Sequence, residues 1–409
     1  MLFTVVKKRD SVVEQKKQRV APEGVACFAE KCAACGVEEY SAEESSAFRN
    51  STDFVRQDLS CYLSFPGVSQ KRFIAIRDCG KKREFFNRGR KMEEAKHIRI
   101  YSGTAHVELS EQIAAYLGQE LGKVHITHFP DGEIFAQFEE NVRRADAFLI
   151  QPTCNKPNDN LMELLIMIDA ARRASAARIT VVIPYYGYAR QDRKDRPRVP
   201  ITAKLVANLL TVAGADRVLA VDLHAQQIQG FFDIPVDHLY ARPVLAPYIK
   251  EVIGDNGVVV APDSGSVKMA MKYSDMLHAG FAVVTKRRIS ATQVASSHLV
   301  GDVKDRVCVI TDDLTSTAGT LCAAAKILKD HGAAKVYAAV SHCLLSEKGK
   351  EKLLATPEIE QLITTNAVPI PDTLGGRIKV LSIAPLVGEA IKRIHEGGSL
   401  SNLFDEDRG

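Results

Sequence analysis

The chain has 409 residues, of which 46% are hydrophobic and 25% are charged, and it carries 54 Lys and Arg against 50 Asp and Glu. This is the composition of a globular protein with room for two ordinary domains and an appendage, not of a disordered or fibrous chain. The formal net charge of +4 is too small to argue for nucleic-acid or membrane binding, and no apolar run reaches the ~20 residues of a membrane span.

The first 96 residues differ from the rest of the chain. They show no sustained helical or strand period, and they begin without the apolar stretch and cleavage site of a secretory signal. Met92 lies just before the regular pattern starts. We therefore expect residues 1–91 to be a start-site artefact or disordered, with a regulatory or targeting appendage as the alternative.

The cysteines fall into two groups. Cys32-x-x-Cys35 invites a zinc or redox interpretation, but no second Cys or His pair with suitable spacing accompanies it. Four later cysteines stand singly in mostly apolar contexts, which is typical of packing residues in a reducing compartment. We accordingly predict a cytoplasmic protein. These four residues are Cys154, Cys308, Cys322 and Cys343.

From Ile98 onward, apolar strands alternate with helices, a pattern that implies right-handed crossovers and parallel sheets covered on both faces. There are too many strands for one sheet. We predict an extension at 1–96, two similar α/β domains at 97–242 and 243–398, and a tail at 399–409. The predicted strands are 98–101, 124–129, 147–151, 179–185, 218–222, 258–261, 281–285, 307–311, 336–340 and 378–381, and the predicted helices are 107–121, 158–174, 201–213, 321–328 and 384–394.

The helix at 160–169 reads Asn-Leu-Met-Glu-Leu-Leu-Ile-Met-Ile-Asp and is apolar on too many faces for a surface helix. It is either wholly internal or packed against another subunit. We favour the second interpretation and expect a homo-oligomer.

Residues 307–320 are the most informative stretch for function. Four apolar residues from Val307 predict a buried parallel strand, which ends in Asp312-Asp313 and is followed by a turn of small residues opening a helix. Such a turn offers backbone N–H groups, hydroxyls and a helix dipole to a phosphate. The two carboxylates cannot bind that anion, but they can accept hydrogen bonds from neighbouring hydroxyls or reach a metal. The run predicts a site for a pentose 5-phosphate; an ordinary capped helix is the alternative.

A loop at 185–198 follows a strand and mixes tyrosines with cations. The cations could neutralise a polyphosphate, and an aromatic or guanidinium plane can stack on a purine. A solvated charged loop is the alternative, and RNA binding is disfavoured because no RNA-binding fold signature surrounds it. The cations are Arg190, Arg193, Lys194, Arg196 and Arg198.

Polar residues also end three other strands. His224 and Asp263 could hold Mg²⁺ between phosphates, although Mg²⁺ prefers oxygen ligands and an ordinary hydrogen-bonded histidine is the alternative. Lys286 and Arg288 precede a flexible-looking stretch at 289–297 and could close over a reacting phosphoryl group, as a lid does. A basic surface loop is the alternative there.

Taken together, these residues resemble the ribose-phosphate pyrophosphokinase family over about 97–405, and the 307–320 run matches the ribose-phosphate fingerprint of the type I phosphoribosyltransferase fold. The resemblance implies two tandem type I phosphoribosyltransferase-like domains, each with a mainly parallel central sheet flanked by helices. The stretches that carry it are Asn-Asp-Asn-Leu-Met-Glu-Leu-Leu-Ile-Met-Ile at 158–168, Tyr-Ala-Arg-Gln-Asp at 188–192, Ala-Lys-Leu-Val-Ala-Asn at 203–208, Gln-Ile-Gln-Gly-Phe-Phe-Asp-Ile-Pro-Val-Asp at 227–237 and Leu-Val-Gly-Asp-Val-Lys-Asp-Arg at 299–306.

The resemblance also implies an activity: transfer of the β,γ-diphosphoryl group of MgATP to the 1-hydroxyl of ribose 5-phosphate. The products are 5-phosphoribosyl 1-pyrophosphate and AMP, for nucleotide, histidine and tryptophan biosynthesis. Mg²⁺ is the implied cofactor, ATP and ribose 5-phosphate are the implied substrates, and a homohexamer is the implied assembly. Phosphate and ADP are the implied regulators.

Residue by residue, the resemblance assigns roles as follows. Lys286 and Arg288 match the catalytic-loop cations, and His224 and Asp263 match the magnesium ligands. The implied ATP contacts are Phe129, Asp131 and Glu133 from a neighbouring subunit, with Arg190, Gln191, Asp195 and Arg198. The implied ribose 5-phosphate contacts are Asp312, Asp313, Thr315, Ser316, Thr317, Ala318, Gly319 and Thr320. The implied regulatory residues are Arg143, Gln229, Asp237, Ser399 and Ser401.

The chain departs from the family pattern at Ser316, where an acidic residue is usual, and at Ala318, where Gly is usual. Residues 141, 226 and 238 of the regulatory site also look changed. The alternatives are a silent homologue that regulates an active partner, which the retained cations and acid pair disfavour, and a true phosphoribosyltransferase, which would need only one such domain. A DNA-binding regulator would need a helix-turn-helix, and none is visible.

Overall fold

The computed structural model describes residues 38–40, 61–63, 73–76, 97–288, 294–370 and 372–403. The chain divides into two compact units, Met1–Arg90 and Lys91–Gly409.

In the first unit, three short strands form an antiparallel sheet of order β1-β3-β2: β1 (Glu38–Tyr40), β2 (Cys61–Leu63) and β3 (Phe73–Ile76). The sequence predicted no strand in this region, although Phe73-Ile-Ala-Ile76 has the aromatic and β-branched residues that strands favour. The Cys32-x-x-Cys35 pair lies outside the described residues. That residues 1–91 are a start-site artefact or disordered stays a prediction.

The second unit contains a five-stranded, fully parallel sheet of order β10-β9-β8-β7-β4. A separate antiparallel hairpin, β5–β6, follows the first helix. Within this part of the chain, the elements are β4 (Ile98–Ser102), α1 (Val107–Tyr116), β5 (Val124–His128), β6 (Ile134–Phe138), β7 (Asp146–Ile150), α2 (Pro157–Arg173), β8 (Arg178–Ile183), α3 (Thr202–Ala213), β9 (Arg217–Val221), a 3₁₀ helix (Gln226–Phe231) and β10 (Val236–Leu239).

A second sheet has seven strands in the order β13-β12-β11-β14-β15-β16-β17. All neighbours are parallel except β12 and β13. Its elements are α4 (Arg242–Ile253), β11 (Gly257–Ala261), α5 (Val267–Leu277), β12 (Gly280–Arg288), β13 (Val294–Val300), β14 (Val307–Thr315), α6 (Gly319–Asp330), β15 (Lys335–Cys343), α7 (Glu347–Leu354), β16 (Leu362–Thr365), β17 (Ile378–Leu381) and α8 (Ala384–Glu396). The α/β class with mainly parallel sheets is confirmed.

One apolar cluster includes buried residues from both sheets. Phe148 and Leu219 of the first sheet belong to it, as do Val259 and Val309 of the second, and helices α1, α4, α5 and α8 contribute to it. The carboxyl ends of strands in both sheets can therefore form one site. The division into domains at residue 242 stays a prediction, and α4 begins at that point.

Most predicted elements appear with ends shifted by a few residues, and two differences matter for the site. Strand β14 was predicted to end at Thr311 but continues to Thr315, because its neighbour β15 supplies ladder partners as far as Cys343. The helix predicted at 107–121 ends at Tyr116. Strands β6, β10, β13 and β16 and helices α4, α5 and α7 were not predicted.

Helix α2 is partly exposed, not wholly internal. Leu164, Met167 and Ile168 are fully buried, whereas Met162 is 53% exposed. The four later cysteines are buried free thiols, in agreement with the packing role predicted for them. Within the described part of the chain, every helix falls short of the length and apolarity that a bilayer crossing needs.

Candidate active site

A cavity of about 690 Å³ opens where the strands β9, β11 and β14 end. Its wall consists of the loops that follow these strands, part of the loop after β8, and one face of helix α5. In parallel α/β sheets, ligands collect at the carboxyl ends of the strands. This cavity is therefore the candidate functional site.

The small-residue turn predicted to bind a phosphate lines this cavity in full from Thr315 to Thr320. Helix α6 begins at Gly319, so its first backbone N–H groups and its positive dipole end lie at the turn. Ala318 has φ 53°, in the left-handed region, where alanine carries strain that glycine would not.

The turn is held from outside by the loop before α7. Ser316 O accepts hydrogen bonds from Ser346 N at 2.9 Å and Ser346 Oγ at 3.2 Å. Gly349 packs directly beneath, since a Cβ there would lie 2.5 Å from Ser316 O. The sequence interpretation missed Ser346 and Gly349. The Ser at the N-cap of a helix was the available signal for Ser346.

Asp312 and Asp313 lie in the last four residues of strand β14, directly before the small-residue turn, and both line the cavity. Burial raises the pKa of Asp312 to about 8, and the neighbouring carboxylates of Asp313 and Asp263 act in the same direction. Burial also raises the pKa of Asp313, but the hydrogen bond and charge of His224 outweigh it, and the net shift is downward. The two adjacent carboxyls therefore differ in protonation near neutral pH.

His224 and Asp313 meet across the cavity. His224 Nδ1 lies 2.5 Å from Asp313 Oδ2, and this hydrogen bond raises the pKa of the histidine despite its partial burial. The two shifts agree, since both favour an imidazolium–carboxylate pair. The bond to Nδ1 leaves Nε2 as the ring nitrogen that could hold a metal, provided that the metal replaces its proton.

Asp263 begins the loop after β11. Its Oδ1 accepts hydrogen bonds from Gly265 N at 2.9 Å and Ser266 N at 3.2 Å, which fix the carboxylate at the cavity wall. Among the described residues, no group of three or more His, Cys, Asp and Glu side chains is placed to hold a metal by itself. A metal here would need phosphate oxygens of a ligand, which is how Mg²⁺ is commonly held beside nucleotides.

Comparisons with known proteins match this geometry to one family. Residues 98–214 match the model of the N-terminal domain of ribose phosphate pyrophosphokinase, and residues 288–405 match that of the phosphoribosyl synthetase-associated domain. The ribose-phosphate pyrophosphokinase of Clostridium perfringens is 51% identical over 316 residues, which is 76% of this chain and 99% of that protein. The chain belongs to the ribose-phosphate pyrophosphokinase family.

Two further relatives agree. The ribose-phosphate pyrophosphokinase of Chlorobaculum tepidum is 52% identical over 309 residues, covering 75% of this chain and 95% of that protein. The crystal structure of phosphoribosylpyrophosphate synthetase from Mycobacterium smegmatis superposes with a TM-score of 0.70 at 44% identity, covering 74% of this chain and all of that one.

Only some of the predicted ATP contacts reach the cavity. Arg190 lines it, together with the loop residues Asp192 and Arg193. Gln191, Asp195 and Arg198 are not part of the wall; Gln191 Oε1 accepts instead from Thr202 Oγ1 at 2.5 Å.

The other three predicted contacts lie in the β5–β6 hairpin turn, where Phe129 N donates to Glu133 O at 2.8 Å and Asp131 Oδ1 accepts from Glu133 N at 3.2 Å. Phe129 is 49% exposed, and none of the three lines the cavity of its own chain. Their role stays a prediction.

Lys286 and Arg288 lie at the end of strand β12, where the ladder with β13 pairs them with Ser297 and Val294. Their side chains and residues 289–293 lie outside the described part. Residues 294–297 of the stretch predicted to be flexible belong to strand β13.

The predicted regulatory residues fall in separate places. Gln229 and Asp237 line a second cavity of about 300 Å³, with His238 and Tyr240. Asp237 is also paired with Arg217 at 2.6 Å. Arg143, Ser399 and Ser401 are not among the residues that line this cavity, and the regulatory role of the five residues stays a prediction.

Several cavity residues were not predicted at all. Lys268 and Lys272 lie one helical turn apart on α5, and Arg242 and Lys272 each lie within 6 Å of the centre of the Tyr240 ring, at 5.6 and 5.5 Å. The sequence signal for these lysines was their spacing of four residues after a strand end. Such spacing is common on helix surfaces and does not by itself indicate a site.

Proposed function

We propose that this chain is a ribose-phosphate diphosphokinase. It transfers the β,γ-diphosphoryl group of MgATP to the 1-hydroxyl of ribose 5-phosphate and forms 5-phosphoribosyl 1-pyrophosphate and AMP. The observation that carries the proposal is one cavity in which the 315–320 turn, the acid pair, His224 and Arg190 face each other. A true phosphoribosyltransferase would need only one such domain and no arginine loop for a nucleotide, so the second domain and its loop disfavour that alternative.

The turn binds the 5-phosphate through backbone N–H groups, Thr and Ser hydroxyls and the α6 dipole. Asp313, which is ionised, accepts hydrogen bonds from the ribose hydroxyls. Asp312, with its pKa near 8, can donate its proton to a sugar oxygen or release it. Loss of the usual acidic residue at Ser316 leaves these groups in place.

The donor set fits Mg²⁺ bound to phosphates. Burial, with the nearby carboxylates of Asp313 and Asp263 as the smaller causes, raises the pKa of Asp312, and a divalent cation would relieve this crowding of negative charge. Asp263 and His224 Nε2 would hold the metal, with Asp313 orienting the ring. When bound, Mg²⁺ supplies charge neutralisation and alignment of the diphosphoryl group.

Phosphoryl-type transfer needs positioning and positive charge more than covalent chemistry from the protein. Arg190 and Arg193 offer guanidinium groups to the ATP phosphates from the loop after β8. Lys286 and Arg288, at the end of β12, stabilise the charge that builds up on the transferred group.

We also propose a homo-oligomer, a hexamer. Leu205, Leu209 and Val212 of helix α3 are 53%, 39% and 54% exposed, and Met162 of the adjacent α2 adds to this apolar surface. A patch of this kind marks an interface with another chain. Phe129 and its hairpin would then complete the nucleotide site of a neighbour. The buried free thiols fit the reducing cytosol, where we place the enzyme.

The test is AMP formation from ATP by purified protein with Mg²⁺, with and without ribose 5-phosphate. We expect AMP and phosphoribosyl pyrophosphate in equal amounts, strictly dependent on the pentose. Parallel assays with inorganic phosphate and ADP test the regulatory residues. Absence of pentose-dependent AMP, from folded protein with Mg²⁺ present, would refute the proposed function.

A further inference from the structure

A buried histidine joins the two sheets behind the cavity. His342, on strand β15, is 1% exposed, and its Nε2 lies 3.1 Å from Val221 O and 3.1 Å from Asp222 O. Both partners are carbonyl acceptors, so Nε2 carries the proton and donates to the end of β9. The Tyr185 ring and the imidazole pack in a T-shaped arrangement with centroids 5.1 Å apart, which holds the imidazole in place.

The residue before His342 holds the same segment by its side chain. Ser341 Oγ donates to Asp222 Oδ2, and the same oxygen accepts from Ala241 N at 3.0 Å. Ser341 is 1% exposed. Three chain segments, the end of β9, the start of α4 and β15, therefore meet at Oδ2 of Asp222.

Asp222 needs this support, because its backbone has φ 39°, a left-handed conformation that costs free energy for any residue with a Cβ. The next residue is fixed as well, since Leu223 N donates to Nε2 of buried His238 at 2.9 Å. The turn at 222–223 thus persists because the structure around it over-determines it. It determines the direction in which the chain presents His224.

We propose that His342 and Ser341 are positioning residues of the catalytic site: they hold the strained turn at Asp222 so that the His224 ring meets Asp313. His342 does not line the cavity and touches no substrate; it acts through the backbone of β9. The inference rests on the proposed function only for its kinetic consequence, which is the affinity for Mg²⁺ and its nucleotide.

The test compares His342→Leu, which removes the donor, with His342→Gln, whose amide N–H can replace it. Crystal structures of both variants give the distance from His224 Nδ1 to Asp313 Oδ2 and the φ of Asp222. Kinetics give the Mg²⁺ concentration for half-maximal activity and the KM for ribose 5-phosphate. Ser341→Ala removes only the side-chain support and keeps the test decisive where the Leu variant does not fold.

In the Leu variant we expect the His224–Asp313 contact to be lost and the half-activating Mg²⁺ concentration to rise about tenfold, because the ring is no longer oriented. The KM for ribose 5-phosphate should stay within about threefold, since the 315–320 turn has its own supports. The Gln variant should keep the contact and stay within about threefold of the parent in both quantities. In Ser341→Ala the half-activating Mg²⁺ concentration should rise as in the Leu variant, but by about three- to fivefold.

The control is Val336→Ala, a fully buried packing change in the same strand six residues away, roughly 20 Å along β15. It should lower the melting temperature without changing the Mg²⁺ requirement. An unchanged His224–Asp313 contact in the Leu variant, or equal damage in the Leu and Gln variants, overturns the inference. If the parent protein makes no AMP, the proposed function fails, while the two crystal structures still decide the positioning role.

Discussion

Replacing Asp312 by Asn should make the ligand-free protein more stable at alkaline pH while damaging its activity. The pKa of Asp312 is raised from 3.8 to about 8 by burial and by the carboxylates of Asp313 and Asp263. In the unfolded chain this carboxyl is ionised above its ordinary pKa, so the native state binds more protons between these two values. The parent protein therefore loses stability as pH rises from about 4 to about 8. The Asp312→Asn variant does not lose this stability, because an amide does not ionise.

The magnitude follows from the same shift. The difference between 3.8 and about 8 sets a limit of roughly 6 kcal/mol for the gain of Asp312→Asn at full ionisation. Because the carboxyl faces a cavity that water enters, screening should reduce this gain to about 3 kcal/mol. Turnover should fall by about 10- to 100-fold, since in the proposed function this residue contacts the ribose hydroxyls. This is the trade-off expected where a site stores unfavourable charge.

The assay is thermal unfolding of ligand-free parent and variant from about pH 5 to about pH 9, with turnover measured on the same samples. The difference in melting temperature should be smallest at the acidic end, grow with pH and level off above about pH 8. Asp275→Asn, the same chemical change at an exposed position on α5, is the matched control and should track the parent. If the melting temperatures of Asp312→Asn and the parent changed in parallel over the whole pH range, the Asp312 carboxyl would not be held in its neutral form.

Three other changes probe separate parts of the site. Lys286→Ala should lower kcat far more than it raises the KM for ATP, because its charge matters most in the transition state; an unchanged kcat would remove it from catalysis. Gly349→Ala should raise the KM for ribose 5-phosphate about five- to tenfold, because the new Cβ lies 2.5 Å from Ser316 O, whereas Gly376→Ala, with open space, should not change it. Equal KM values for these two variants would contradict the supporting role. Deleting residues 1–91 should leave specific activity intact, because the family match begins at residue 98; loss of activity in folded, truncated protein would contradict this.

Much of the fold could be read from local sequence. Strands such as Val307–Ile310 and Val258–Ala261 are short apolar runs bounded by turn residues, and their burial on both faces follows from that pattern. Elements with weaker patterns escaped. Strand β16, Leu-Ile-Thr-Thr, has only two apolar residues, and the alternation of β6, Ile134–Phe138, spans just five residues beside a loop.

The candidate site divides in the same way. The acid pair and the 315–320 turn are contiguous, so the strand, the turn and the helix start of the proposed phosphate site all appear in one stretch of chain. The predicted contacts with a neighbouring subunit, such as Phe129, cannot be tested by the geometry of one chain. The end of β14 was placed wrongly because ladder partners on β15, not local preference, decide how far that strand continues.

The sequence by itself determined most of the parallel strands and the small-residue turn that we propose holds a phosphate, because apolar runs and small-residue turns act over a few neighbouring residues. Only the tertiary structure decided that His224 meets Asp313, 89 positions later, and that Asp222 is held by Ser341, 119 positions later. These contacts arise from sheet order and the packing of one sheet against the other. Neither contact can be predicted from a local sequence pattern, since a histidine or serine at a strand end has the same local sequence whether or not it makes such a contact.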